Sequence, residues 1–188
     1  MKKRILAMAF AVMMAFGVAA CGGGEAAESG MNNEKVVEMQ TELQAYDVAL
    51  TAEAAAEEGM FTIANGAVVS GQEKWDAFMA GEADSVKLCQ FSTKGGAMLD
   101  YVVKQEDGSY LVVSDLTRDG YEYEEKVDYD AQVFTQVKVF ENFTVQEGGT
   151  PHTVCVMTND EALDAATFLQ YWKDLSYEEN GAFMLFVI

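Results

Sequence analysis

The chain has 188 residues, 50% of them apolar, and carries 12 basic against 31 acidic side chains, a formal charge of −19. This length fits one domain with a core of its own, and the apolar half argues against a wholly disordered chain. The sign of the charge argues against nucleic acid as a partner, because binding to phosphates needs a basic surface.

Residues 1–20 have the pattern of a secretory signal. Three basic residues precede an apolar run, Ile5–Phe16, which is shorter than the ~20 residues of a membrane-spanning helix. Val18-Ala19-Ala20 before Cys21 resembles the bacterial lipobox. In lipoproteins with that signal, a diacylglycerol is attached to the cysteine thiol, and the cleaved chain begins at this cysteine. We therefore predict lipidation of Cys21; the alternatives are an ordinary signal peptide with an incidental cysteine, or a short apolar helix of the fold.

Residues 21–33 are rich in Gly, Ala, Ser and Glu, which predicts a flexible tether with a span of roughly 20 Å. Removal of residues 1–20 takes away three basic residues and no acidic one, which leaves a charge of −22 on 168 residues. Anionic lipid would repel this charge, so the lipid on Cys21 is the expected link to the membrane. The expected location is the cell membrane, facing outside the cytoplasm.

The first predicted elements after the tether are two helices. Asn33 is the expected cap of a helix whose apolar residues recur every three or four positions. That stripe consists of Val36, Met39, Leu43, Tyr46 and Leu50. Thr51 is the expected cap of a short second helix over residues 52–58, which ends at Gly59.

A hairpin and a third helix follow. Residues 60–63 and 67–69 predict two short strands around Asn65-Gly66, a favoured hairpin turn. Ser70 and Glu73 have the spacing of a capping box. The helix that they open is expected to bury Trp75, Phe78 and Met79.

From Val86 the pattern becomes extended, with β-branched and aromatic residues between turn signals. The predicted strands cover residues 86–93, 98–104, 109–116, 121–127, 131–145 and 152–158, and a last one covers 182–188. Thr158 and Glu161 again have capping-box spacing. The helix after them is expected to face inward with Leu163, Ala166, Leu169 and Trp172, and to share Leu175.

This order of elements predicts a single α+β domain over residues 34–188, with a mostly antiparallel sheet and the helices packed on one face. A cystatin-like arrangement is one option for its topology.

Four segments between residues 51 and 120 resemble a family of small lipoproteins from Gram-positive bacteria that carry a domain of unknown function. The segments are Asn65-Gly66-Ala67-Val68, Trp75-Asp76-Ala77-Phe78, Phe91-Ser92-Thr93-Lys94-Gly95-Gly96 and Asp115-Leu116-Thr117-Arg118-Asp119. The third departs from the family pattern, because Lys94 and Gly96 replace acids. The resemblance implies a secreted, lipid-anchored domain with no assigned activity, and it contributes no catalytic residues.

The single histidine, His152, offers little for catalysis, because no nucleophile motif accompanies it. A loop residue after Pro151 is the simpler interpretation. Zinc would need three or four ligands, and with Cys21 lipidated only His152, Cys89 and Cys155 remain as soft ligands. No phosphate-binding glycine motif is present in the sequence, so we predict no catalytic, cofactor or metal site.

Cys89 and Cys155 lie in predicted strands and form an even pair once Cys21 is lipidated. A compartment outside the membrane permits a disulfide between them. The alternative is two free thiols that behave as small buried hydrophobes.

Six carboxylates lie between residues 119 and 130: Asp119, Glu122, Glu124, Glu125, Asp128 and Asp130. They lack the ligand spacing of an EF-hand calcium loop. The preferred interpretation is therefore a solvated strand face or a charged edge that discourages strand pairing.

The sequence thus predicts a non-enzymatic, lipid-anchored binding or interaction module for a protein or small-molecule ligand. The alternative is a cell-envelope hydrolase with a site built from carboxylates and His152. A sensor or inhibitor subunit with a partner encoded nearby is a third possibility.

Overall fold

The computed structural model describes residues 31–91, 95–118, 129–146 and 148–188. In chain order the elements are α1 (Asn33–Gln44), α2 (Ala52–Glu57), β1 (Phe61–Ala64), β2 (Ala67–Ser70), α3 (Gln72–Met79), β3 (Ser85–Phe91), β4 (Ala97–Lys104), β5 (Tyr110–Arg118), β6 (Tyr129–Phe134), β7 (Gln136–Phe143), β8 (His152–Thr158), α4 (Ala165–Lys173) and β9 (Ala182–Val187). The signal segment, most of the tether, the predicted strand 121–127 and most of the acidic run lie outside the described residues.

The strands form two sheets. The larger has the order β2-β1-β3-β4-β5-β6, and the smaller has the order β7-β8-β9. Every pair is antiparallel except β1 with β3, which is parallel. The predicted α+β class with mostly antiparallel sheet is confirmed.

The two sheets and the helices form layers. α1 and α2 pack together on one face of the larger sheet, around Met39, Leu43 and Leu99. The other face of that sheet packs against the smaller sheet, and α3 contributes to this shared core. α4 covers the outer face of the smaller sheet through Phe168. Each face of the larger sheet is therefore buried, which explains why its central strands are apolar on both sides.

The sequence did not predict the second sheet, because residues 131–145 have the pattern of one long strand. The chain instead passes from β6 to β7 at Thr135. Asn159 holds this corner: the Thr135 N–H donates to its Oδ1 at 2.9 Å, and its Nδ2 donates to the Val133 carbonyl at 3.2 Å. A residue from a later part of the chain thus decides where one strand becomes two.

The second helix and the hairpin agree with the sequence, whereas the first helix ends at Gln44, before the predicted stripe residues Tyr46 and Leu50. Thr51 caps α2 by accepting the Ala54 N–H at 3.2 Å. Asn65 (φ 53°) and Gly66 (φ 71°) form the turn with positive φ angles. The cap of α1 is Asn32 and not Asn33, since the Asn32 Oδ1 accepts two backbone N–H groups of the first turn.

The predicted capping box of α3 does not form. Ser70 is the last residue of β2, and its hydroxyl donates to the Met60 carbonyl at 3.4 Å instead of capping a helix. The N-cap is Gly71, at φ 73°, where a Cβ atom would lie 2.3 Å from the Met60 carbonyl oxygen. Only glycine fits this close approach.

The inward face of α3 was predicted correctly in two of its three residues. Trp75 and Phe78 are buried, whereas Met79 is 44% exposed. Trp75 lies beside Phe61 of the larger sheet and Phe186 of the smaller, with ring centroids 5.7 and 5.0 Å away. α3 therefore closes one part of the core between the sheets.

The predicted start of α4 is also wrong. Thr158 lies inside β8 and donates to the Gly181 carbonyl, while Asp164 caps the helix by accepting the Thr167 N–H at 2.8 Å. The later start changes which side chains face inward. Leu163 and Phe168 are buried, Leu169 and Trp172 are half-buried, and Ala166 and Leu175 are exposed.

Candidate functional site

Of the residues singled out from sequence, Cys21 and the carboxylates from Asp119 to Asp128 lie outside the described residues. Asp130 lies at the start of β6, where its carboxylate accepts hydrogen bonds from the Ala131 N–H and the Gln132 amide. In the described ranges no helix is both long and apolar enough to cross a membrane.

His152 and Cys155 do not come together. Side chains alternate along β8, so His152 shares the α4 face with Val154, whereas Cys155 points into the core between the sheets. Within the described residues, no three His, Cys, Asp or Glu side chains are placed to hold a metal ion. The zinc interpretation therefore loses its ligand set on this part of the chain.

Cys89 and Cys155 are two free, fully buried thiols. Cys89 belongs to the core beneath α1 and Cys155 to the core between the sheets, so the larger sheet lies between them. The disulfide considered from sequence is not formed. Burial raises the pKa of both thiols, that of Cys89 to about 12, where the nearby Asp100 charge adds to the effect.

A buried carboxyl, Asp100, lies on the face of β4 that packs against the smaller sheet. The Ser114 hydroxyl donates to its Oδ1 at 2.6 Å, and Gln90 supplies a second hydrogen bond while also donating to the Leu185 carbonyl of β9. Burial raises the pKa of Asp100 to about 6, the two hydrogen bonds oppose this rise, and the charge of Asp130 adds to it. The sequence signal was an aspartate amid the apolar residues of a predicted strand.

A second polar cluster joins β5 to α1. Arg118 forms a buried ion pair with Asp115, and its remaining N–H groups donate to the Thr117 hydroxyl and to three backbone carbonyls, those of Leu43, Tyr46 and Asp47. These five contacts use the five N–H donors of a guanidinium. The fourth segment of the family resemblance therefore has a structural role here, since it fixes the C-terminal end of α1 to the sheet.

One surface cavity, of about 400 Å³, lies beside this cluster. Its lining consists of Val48, Ala49, Leu50, Thr51, Ala52, Phe91, Gly95, Gly96, Ala97 and Arg118. Among the described residues of this lining, Arg118 is the one charged side chain, and its five N–H donors are already used.

A second cavity, of about 300 Å³, lies where α1, α2, α3, β3 and β4 meet. We call it the Lys87 cavity; its lining consists of Tyr46, Glu58, Gly59, Lys74, Ser85, Val86, Lys87 and Tyr101. Lys87 lies between two aromatic rings, with its Nζ 5.5 Å from the ring centre of Tyr46 and 5.0 Å from that of Tyr101. Such contacts favour the charged amine.

The Lys87 amine has one N–H donor that the described contacts do not use. It donates to the Tyr46 hydroxyl at 3.2 Å and forms an ion pair with Glu42 at 2.6 Å. Burial alone would lower the pKa of Lys87, but the hydrogen bonds and the charge interactions with Glu42 and Tyr46 together outweigh it and raise that pKa. An ammonium group has three donors, so the described contacts leave one for a ligand. Sequence reasoning missed this site, because Lys87 and Tyr46 are 41 positions apart.

Comparison with protein-family models, with curated proteins and with solved structures finds no match to this chain. The resemblance to small Gram-positive lipoproteins therefore stays a prediction, and the site must be interpreted from its own geometry.

Proposed function

We propose that the chain is a lipid-anchored binding module that faces outside the cytoplasm. The observation that carries the proposal is the signal pattern of residues 1–20 with the lipobox residues Val18-Ala19-Ala20 before Cys21. The position of the first helix supports it. α1 begins at Asn33, so a short polar segment separates the proposed anchor from the domain. A segment of this length and composition spans roughly 20 Å, which is enough to hold the domain clear of a membrane surface.

Binding, rather than catalysis, is supported by where the titratable residues lie. Asp100 of β4 lies between the two sheets, whereas His152 of β8 lies on the outer face of the smaller sheet. Neither residue lines a described cavity. The Lys87 cavity, in contrast, is open to solvent and brings an ammonium group and two aromatic rings together, which supports a binding role.

Replacement of the anchoring cysteine tests the proposal. We expect the wild-type chain, made in a bacterial host that processes lipoproteins, to partition into the detergent phase, and Cys21→Ser to remain in the aqueous phase. Ser29→Ala is the matched control, since it changes the tether and keeps the cysteine. Detergent partitioning of Cys21→Ser equal to that of the control contradicts the lipid anchor.

The alternative proposal, an envelope hydrolase, has one supporting observation: a carboxyl with a raised pKa, Asp100. It requires that His152 and a carboxylate act on one substrate. Hydrolysis of a cell-envelope substrate that is lost in both Asp100→Asn and His152→Ala, with folding retained, would favour this alternative over the binding module.

A further inference from the structure

We propose that the Lys87 cavity binds a small organic acid through its carboxylate, with the apolar part of the acid against the rings of Tyr46 and Tyr101. The inference deepens the proposed binding function, because it names the site and the chemical class of the ligand.

The charge of the cavity is the first argument. Two lysines, Lys74 and Lys87, line it together with Glu58, and Glu42 contacts Lys87, so these four groups sum to zero on a chain whose formal charge is −19. Within the described residues Lys74 has no ion-pair partner, since the described pairs involve Lys35, Lys87 and Arg118. An anion is therefore repelled less at this cavity than at the surrounding acidic surface.

The free donor is the second argument. Lys87 is held by Tyr46, Tyr101 and Glu42, so its amine is already positioned before a ligand arrives. A preorganised cation loses little side-chain freedom on binding, which favours affinity. A hydrogen bond from an ammonium to a carboxylate is among the stronger ones in proteins.

The nearby acids favour a ligand with a single negative charge. Glu42 contacts Lys87 and Glu58 lines the cavity, so a doubly charged phosphate would meet two carboxylates. A singly charged carboxylate can approach the two ammonium groups with less repulsion from these acids. The cavity volume, about 300 Å³, is at the lower end of the range for ligand sites and fits a small acid.

Calorimetric titration of the full chain in nonionic detergent tests the proposal with three probes: benzoate, its uncharged analogue benzamide, and inorganic phosphate. We expect saturable 1:1 binding of benzoate, with benzamide and phosphate each roughly tenfold weaker. Benzamide lacks the charge of the acceptor, and doubly charged phosphate is repelled by Glu42 and Glu58. Benzamide or phosphate binding as tight as benzoate, or no saturable benzoate binding at millimolar concentration, overturns the proposal.

Variants locate the binding. Lys87→Met keeps the length of the side chain and removes the charge, and we expect it to weaken benzoate binding roughly tenfold. Lys74→Gln, at an exposed position on α3, should weaken it roughly threefold through lost attraction. Lys104→Met is the control at an exposed lysine outside the cavity, and should bind like wild type.

Unchanged benzoate affinity in both cavity variants overturns the proposal, and Lys74→Gln decides the outcome if Lys87→Met fails to fold. Detergent partitioning of the same wild-type preparation separates the two proposals. A chain that partitions but does not bind benzoate refutes the site alone, whereas one that binds benzoate without partitioning refutes the anchor alone.

Discussion

Asp100 shows how one side chain can make the stability of this fold depend on pH. Its carboxyl lies between the two sheets and faces Ser114, Gln90, Asp130 and the Leu185 carbonyl, with a pKa of about 6 against an ordinary value of 3.8. The folded state therefore retains this proton at a pH where the unfolded chain has released it. The contribution of Asp100 to stability is fully present below pH ~4, and is lost as the pH rises through about 6.

Asp100→Asn should remove this dependence. The pKa difference corresponds to roughly 3 kcal/mol, so we expect the variant to gain about that much relative to wild type between pH ~4 and ~7.5. Urea unfolding of both proteins at the two pH values measures the change.

Asp107→Asn is the control, because the contribution of Asp107 to stability should depend on pH in the opposite direction. Hydrogen bonds from the Ser109 hydroxyl and N–H lower the pKa of the exposed Asp107, so this carboxyl stabilises the fold above its unfolded pKa and loses that effect as the pH falls. If the free-energy difference between Asp100→Asn and wild type were the same at both pH values, the raised pKa of Asp100 would be refuted.

At the scale of elements, the pair Arg118 and Asp115 fixes α1 to the larger sheet. The two side chains are 3% and 0% exposed, and the guanidinium also binds the carbonyls of Leu43, Tyr46 and Asp47 at the end of the helix. Removal of one partner leaves a charge buried without its counter-ion. We expect Arg118→Met to lower the free energy of unfolding by roughly 3–5 kcal/mol.

The same urea measurement on Lys35→Met provides the comparison. Lys35 pairs with Glu38 on the surface of α1, and exposed pairs contribute about 0–1 kcal/mol. Asp115→Leu combined with Arg118→Met should recover part of the loss, because no unpaired charge then stays buried. Arg118→Met with a loss no larger than that of Lys35→Met would show that the buried pair does not stabilise the end of α1.

Elements predicted correctly from the sequence are those whose signals are local. Thr51 and Asn65-Gly66 act within three residues of themselves, so their helix cap and turn could be recognised from the sequence. The caps proposed at Ser70 and Thr158 failed because both residues are taken up by strands, which depends on partners elsewhere in the chain. The corner at Thr135 likewise depends on Asn159, 24 residues later.

The candidate site could not be predicted from the sequence for the same reason. Lys87 meets Tyr46 across 41 positions, and Arg118 meets Leu43 across 75. Helical or strand periodicity gives no information about such pairs, because each residue fits its own element equally well without the other.

For the whole molecule, the contacts between the sheets indicate that they unfold together. Phe134 of the larger sheet stacks on Phe183 of the smaller. The Gln90 amide of the larger sheet donates to the Leu185 carbonyl of the smaller. Both sheets contribute to one buried cluster, so separating them would expose apolar surface on each.

The two thiols report on this cooperativity, because Cys89 lies under α1 and Cys155 lies between the sheets. In the Cys21→Ser variant they are the remaining cysteines, and an alkylating reagent needs the thiolate, which their raised pKa values disfavour in the folded state. We expect two free thiols per chain after unfolding without reductant, and slow, equal labelling of both sites in the native protein, since only global opening exposes either one. Peptide-resolved mass spectrometry over a labelling time course measures the two rates, and the same reagent on the urea-unfolded chain calibrates its intrinsic reactivity. Faster native labelling of Cys155 than of Cys89 would mean that the smaller sheet opens while the larger stays folded, and a single free thiol or none after unfolding would mean that the cysteines pair.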